Sequence, residues 1–159
     1  MCIRDRAVSG PTVIALDEQA TRSIRAEHWA GLARDVLVAE GIEAGELNLT
    51  FIDIEEMTQL NIEHMDGDGP TDVLSFPLDD SDDVVFDDQP RLLGDIVICP
   101  AVVLKQAPDR ADDEMALMVV HGVLHILGMD HQEPEEEAVM KAAEQRHLYK
   151  WNLAGSSTS

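Results

Sequence analysis

The chain has 159 residues, 45% of them hydrophobic, enough for one domain with a real core. Its formal net charge of −21 favours solubility and repels phosphate backbones at long range, so it argues against a nucleic-acid-binding surface built on bulk charge. No apolar run approaches the ~18 residues of a membrane span, and the start has no apolar segment of a secretory signal.

Only Cys2 and Cys99 are present, which fits a reducing cytoplasm better than a disulfide scaffold. The opening Met-Cys-Ile-Arg-Asp-Arg matches no element that follows. Residues 1–10 are therefore read as a disordered or non-native start, 11–152 as the domain, and 153–159 as a disordered tail.

Thr12 to Leu16 reads as a short strand. A helix is predicted from about Ser23 to Glu40, with Trp29, Leu32, Ala33, Val36 and Leu37 on one apolar stripe and Gly41 placed to stop it. His28 lies beside the stripe as a surface or packing residue. Leu47, Leu49 and Phe51 alternate with polar residues, as in a strand with one buried face. Asp53 and Glu56 have capping-box spacing at the start of a short helix over 54–64, and Asp66-Gly67-Asp68-Gly69-Pro70 breaks it. Thr71 to Phe76 is a strand bounded by prolines, hence an edge strand, and such edges can hold extended substrates.

Residues 78–91 hold six aspartates, Asp79, Asp80, Asp82, Asp83, Asp87 and Asp88, without the spacing of an EF-hand, and read as a solvated loop. Leu92 to Cys99 is the most apolar strand, ended by Pro100. Gly94 inside it predicts a bulge or a close backbone approach, Asp95 is expected to turn toward the site, and Cys99 is expected to be buried. Asp109 is placed to cap a helix over about 110–127 that is apolar nearly all round. A last helix opens near Pro134 behind Glu133, with Glu135, Glu136 and Glu137 in its first turn and Val139, Met140, Ala143 and Leu148 facing inward; Trp151 closes the core.

The chemistry concentrates in His121 to His131, which holds three of the six histidines. His121 and His125 are four apart, so a helix sets them on one face with Cβ atoms roughly 5–6 Å apart. Gly128 can end the helix and let the chain bring His131 back. Three imidazoles with a fourth position open is the arrangement of a catalytic zinc site. The spacing resembles the metzincin HExxHxxGxxH at every ligand and at the glycine, but Gly122 stands where zinc proteases carry the glutamate base.

Together these stretches resemble the YbeY family of bacterial metal-dependent endoribonucleases. Pro-Thr-Asp-Val-Leu-Ser-Phe-Pro at 70–77, Leu93 to Ile98, His121 to His131 and Leu60-Asn61 carry the resemblance, which spans about Val13 to Trp151. It implies a single α+β domain, expected here as a small mixed four-stranded sheet with helices. It implies one zinc ion per chain held by His121, His125 and His131, and cleavage of single-stranded RNA. It further implies a cytoplasmic role at the ribosome or its small subunit, in maturing the 16S rRNA 3′ end and in ribosome quality control.

Zinc-activated phosphodiester hydrolysis is the expected chemistry. Besides His121, Asp130 and Asp95 are the catalytic candidates, and Asp130 also suits a partner that orients an imidazole. Thr71, Asp72 and Ser75 are the substrate-binding candidates. Met65 stands where many relatives have an arginine that could clamp phosphate, and His64 departs from an aromatic residue. Arg91, Lys105 and Arg110 are the alternative cations. Two rival readings follow: a zinc-containing ribosome-docking factor without catalysis, and a metallopeptidase, which Gly122 disfavours.

Overall fold

A computed structural model describes residues 10–19, 24–65, 71–77, 92–128 and 134–158, with backbone alone for 64–65 and 152–158. The expected disordered start, the glycine-aspartate breaker at 66–70, the aspartate loop at 78–91, and Asp130 and His131 lie outside the described residues, apart from Gly10. Four strands are described: β1 Thr12–Asp17, β2 Glu46–Phe51, β3 Val73–Pro77 and β4 Leu92–Ile98. The described helices are α1 Ala26–Ala39, α2 Ile54–Met65, α3 Pro100–Gln106, α4 Ala111–Ile126 and α5 Pro134–Thr158. This is a small α+β domain with one mixed sheet.

The sheet order is β1-β2-β4-β3. β1 and β2 are parallel, as are β2 and β4, while β3 runs antiparallel to β4 at one edge. The prolines that bound β3 fit that edge position, since proline has no N–H to give a second neighbour. The predicted bulge is present: Glu46 pairs with Leu92 but Leu47 pairs with Gly94, so Leu93 is the extra residue.

Period-2 alternation sorts the sheet's two faces. Leu47, Leu49 and Phe51 of β2 and Ile96 and Ile98 of β4 point to one side, where they meet the stripe of α1 (Trp29, Leu32, Ala33, Val36, Leu37) and the body of α4. Burying side chains of this size contributes roughly 1.5–3 kcal/mol each. On the other side Ile52, Met57, Leu74, Val97, Cys99 and Val102 form a smaller cluster beneath α2 and α3. Burial pushes the Cys99 thiol pKa up, and the residue is the small buried hydrophobe its strand predicted.

Several local expectations are corrected. α3 was not foreseen: Pro100 ends β4 but also sits at the first position of a helix, where its fixed φ is helical already. Asp109 does not cap α4; Arg110 occupies that position, and among the described residues no side-chain cap bonds the N–H groups there. Val139 faces solvent, 61% exposed, whereas Met140 and Ala143 are buried as expected. The backbone of α5 continues as helix to Thr158, through most of the stretch expected as a disordered tail. Among the described residues no helix is long and apolar enough to cross a membrane.

Candidate active site

The histidine helix is buried along most of its circumference by Met115, Ala116, Met118, Val119, Val120, Val123, Leu124 and Ile126. His121 and His125 are partly exposed and stand one turn apart in its second half. Their rings lie edge to face, with centroids 4.6 Å apart and planes at 70°. The helix stops where Gly128 predicts. Leu127 donates its N–H to the Val123 carbonyl at 3.0 Å, and Gly128 donates to the His125 carbonyl at 3.0 Å with φ at +101°. That left-handed conformation is cheap for glycine and turns the chain out of the helix just after His125.

Gly122 is held by packing. A Cβ built on it would meet Ile96 Cγ2 at 2.8 Å and Cδ1 at 3.2 Å. The residue after His121 therefore faces the sheet, and α4 rides on β4 at this point. Gly94 makes the same close approach one turn further along, where a Cβ would meet Ile126 Cδ1 at 2.6 Å and the Phe76 carbonyl at 2.8 Å. A glutamate at 122 would point into the core, so the site lacks the protease base for a steric reason as well as a chemical one.

The strand candidates separate. Ser75 reaches α4: its Oγ donates to the Gly122 carbonyl at 3.4 Å. Thr71 and Asp72 bond each other at 3.3 Å, and the Asp72 carbonyl accepts the Cys99 N–H at 3.0 Å. They stand at the far end of β4, three and four residues from Ser75, which is about 10–13 Å along an extended chain. Asp95 does not turn toward the histidines. It alternates with Gly94 and Ile96, so it lies on the face of the sheet away from α4. There its Oδ1 accepts the Asn48 amide at 2.8 Å, and it lines an open cavity of about 330 Å³ with Thr50, Leu60, Phe76 and Val97.

Of the alternative cations, Arg110 caps the opposite end of α4, where it pairs with Glu114 at 3.9 Å. Eleven residues of helix, about 16 Å, separate it from His121. Lys105 sits in the last turn of α3, which leads to that same far end. Arg91, Asp130 and His131 lie outside the described residues, as does the side chain of Met65.

One neighbour of His121 escaped the sequence. The carboxylate of Glu144, on α5, stands 2.6 Å from His121 Nδ1. His121, Glu137, Met140, Lys141 and Glu144 line a cleft of about 180 Å³. The signal available was Glu144's position on the inner stripe with Met140 and Ala143. It was hidden among the glutamates of an acidic helix. Among the described residues no group of three or more His, Cys, Asp or Glu is placed to hold a metal ion. The described donors still suit one. Two imidazoles stand a turn apart, and the Nδ1 of one is engaged by a carboxylate, the contact that commonly orients a metal-binding histidine.

The family profile described as "Endoribonuclease YbeY" matches residues 14–152. The chain belongs to the YbeY family. A YbeY relative from Salinispora tropica, named "Endoribonuclease YbeY", is 45% identical over 136 residues, which is 79% of this chain and 87% of that protein. A second YbeY relative, from Frankia casuarinae and named likewise, is 39% identical over 151 residues, covering 89% and 75%. The solution structure of TM1509 from Thermotoga maritima superposes with a TM-score of 0.57 at 25% identity, covering 92% of this chain and 96% of that one. His121, His125 and Glu144 all fall within the stretch matched to YbeY.

Proposed function

We propose that this chain is a metal-dependent endoribonuclease that cleaves single-stranded RNA, with precursor small-subunit rRNA as substrate and the ribosome as its setting. The observation that carries the reading is the pair His121 and His125, 4.6 Å apart on a buried helix, in a chain of a family named for endoribonuclease activity. These two, with His131 as the third, would hold one zinc ion. The site lies at the C-terminal end of α4, where the helix dipole favours a cation. Bound there, zinc would supply Lewis-acid activation of water and offset charge on the scissile phosphate.

The chain's own residues have distinct tasks. The apolar body of α4 anchors the helix in the core and so fixes the positions of the two partly exposed imidazoles at its end. Gly122 offers no carboxylate, so the proton acceptor comes from another element, with Asp130 as candidate. The Ser75 hydroxyl is engaged by the Gly122 carbonyl. Substrate contact at β3 therefore falls to the strand's outer edge, whose backbone N–H groups can donate to phosphate oxygens. Lys141, which lines the cleft beside His121, is a positive charge not among the cations read from the sequence.

The test is cleavage of a single-stranded RNA by wild type, His121→Ala and His125→Ala, purified side by side with zinc content measured. Wild type is expected to cut and both variants to lose nearly all activity and zinc. Equal cutting by all three would refute the reading. If wild type holds zinc but does not cut, the non-catalytic docking factor replaces it. The peptidase reading finds no support at Gly122, whose packing against Ile96 excludes the base.

A further inference from the structure

The inner stripe of α5 carries Met140, Ala143, Glu144 and His147. Two of these are polar and buried, which costs several kcal/mol unless each is well hydrogen-bonded. Both are. His147 Nε2 lies 2.6 Å from Glu40 at the end of α1, and Arg146 adds a contact to the same carboxylate at 3.5 Å. That pair ties α5 to α1. Glu144 instead lies 2.6 Å from Nδ1 of His121.

An ionised carboxylate only accepts hydrogen bonds. The contact at 2.6 Å is satisfied by such a carboxylate when Nδ1 carries the proton. A neutral imidazole protonated there carries its lone pair on Nε2, and the bond also fixes the plane of the ring. We propose that Glu144 is a positioning residue of the metal centre, holding His121 in the Nδ1–H tautomer so that Nε2 is presented to the ion. The proposal rests on His121 being a ligand. It assigns α5 a part in the site, supplied by a side chain too far from the histidine motif in sequence to be read with it.

The test uses the full chain and zinc alone as probe, with affinity measured by chelator competition. Glu144→Gln keeps an acceptor oxygen but loses the charge, and is expected to weaken zinc binding about tenfold; Glu144→Ala is expected to weaken it toward 100-fold. Glu136→Gln, which removes an exposed carboxylate from the same helix, is expected to leave affinity within twofold and so controls for bulk charge. The tautomer is read from side-chain 15N shifts of the zinc-free protein, well above the ordinary imidazole range. His121 should be Nδ1–H in wild type and shift toward Nε2–H in Glu144→Ala, a change that a purely structural role would not produce.

If both Glu144 variants bind zinc like wild type while His121→Ala does not, the proposal is overturned and the metal site stands. If His121→Ala also binds like wild type, the metal reading itself has failed. A His121 that keeps Nδ1–H in Glu144→Ala overturns the proposal by the second route. Should Glu144→Ala fail to fold, the isosteric Gln variant decides.

Discussion

Two helical glycines respond oppositely to the same substitution. Gly31 is exposed in the interior of α1, and a Cβ added there meets nothing within 4 Å. Gly31→Ala should stabilise the protein by about 1 kcal/mol, the difference in helix propensity. Gly122→Ala gains the same propensity but drives its methyl to 2.8 Å from Cγ2 of Ile96, a side chain with no exposed surface. Overpacking of this kind costs roughly 1–3 kcal/mol, so the net effect should be a loss of about 1 kcal/mol. With a urea slope of roughly 2 kcal/mol per molar, the two midpoints move about 0.5 M in opposite directions. A cycle with Ile96→Ala locates the clash. Truncating Ile96 alone costs about 2–5 kcal/mol, but it should cost clearly less when Gly122 is already alanine, because the new methyl occupies part of the void. If Gly122→Ala stabilises as much as Gly31→Ala, or the cycle is additive, α4 does not rest on β4 as described. Position 122 would then be open to a catalytic carboxylate.

Other consequences are independent of that contact. Glu40→Ala leaves the buried His147 Nε2 without its acceptor and should cost about 1–3 kcal/mol in chemical denaturation; a change within 0.3 kcal/mol would remove the pair from the stability argument. In a Cys2→Ser background, Cys99 should resist a thiol-specific disulfide reagent at neutral pH until urea unfolds the chain, because burial raises its pKa and shields it; rapid labelling of the native protein would contradict both. His28 packs on Trp29 and Trp151, and desolvation, helped by Arg25, lowers its pKa. Below about pH 6.5 the unfolded chain then binds a proton that the folded chain resists, so stability falls as pH drops through that value and is unaffected above it. The stability of wild type relative to His28→Gln should accordingly be lower at pH 5.5 than at pH 8; no change in that difference would refute the shift.

The legible parts of this fold were those where one local pattern decides the outcome. Leu47, Leu49 and Phe51 alternate, and Trp29 to Leu37 repeat at helical spacing, so β2 and α1 appear where periodicity puts them. The prolines around β3 announced an edge, and Gly94 announced both a bulge and a close contact. Short elements were lost. Seven residues of α3 span two turns, too few for a periodic pattern to stand out beside a proline that also ends a strand. The orientation of Asp95 follows from strand alternation: Ile96 and Ile98 face the larger core, so residue 95 must face away from it.

The candidate site shows the same division at finer scale. Histidines four apart on a helix must share a face, so His121 and His125 could be paired from spacing alone. Glu144 could not, because its relation to His121 spans 23 residues and depends on how α5 lies against α4. An acidic helix start supplies many glutamates whose ordinary place is in water, and Glu135, Glu136 and Glu137 are exposed. What distinguishes Glu144 is its burial, a state that a carboxylate rarely occupies without a partner. Gly122 is the converse. The missing glutamate was visible in the sequence as an absent base, yet the reason for it, a helix lying against Ile96, appears only in three dimensions. The side of α4 that meets the sheet requires a residue without a side chain. A carboxylate partner for His121 can arrive instead from across the helix interface, which is where Glu144 stands.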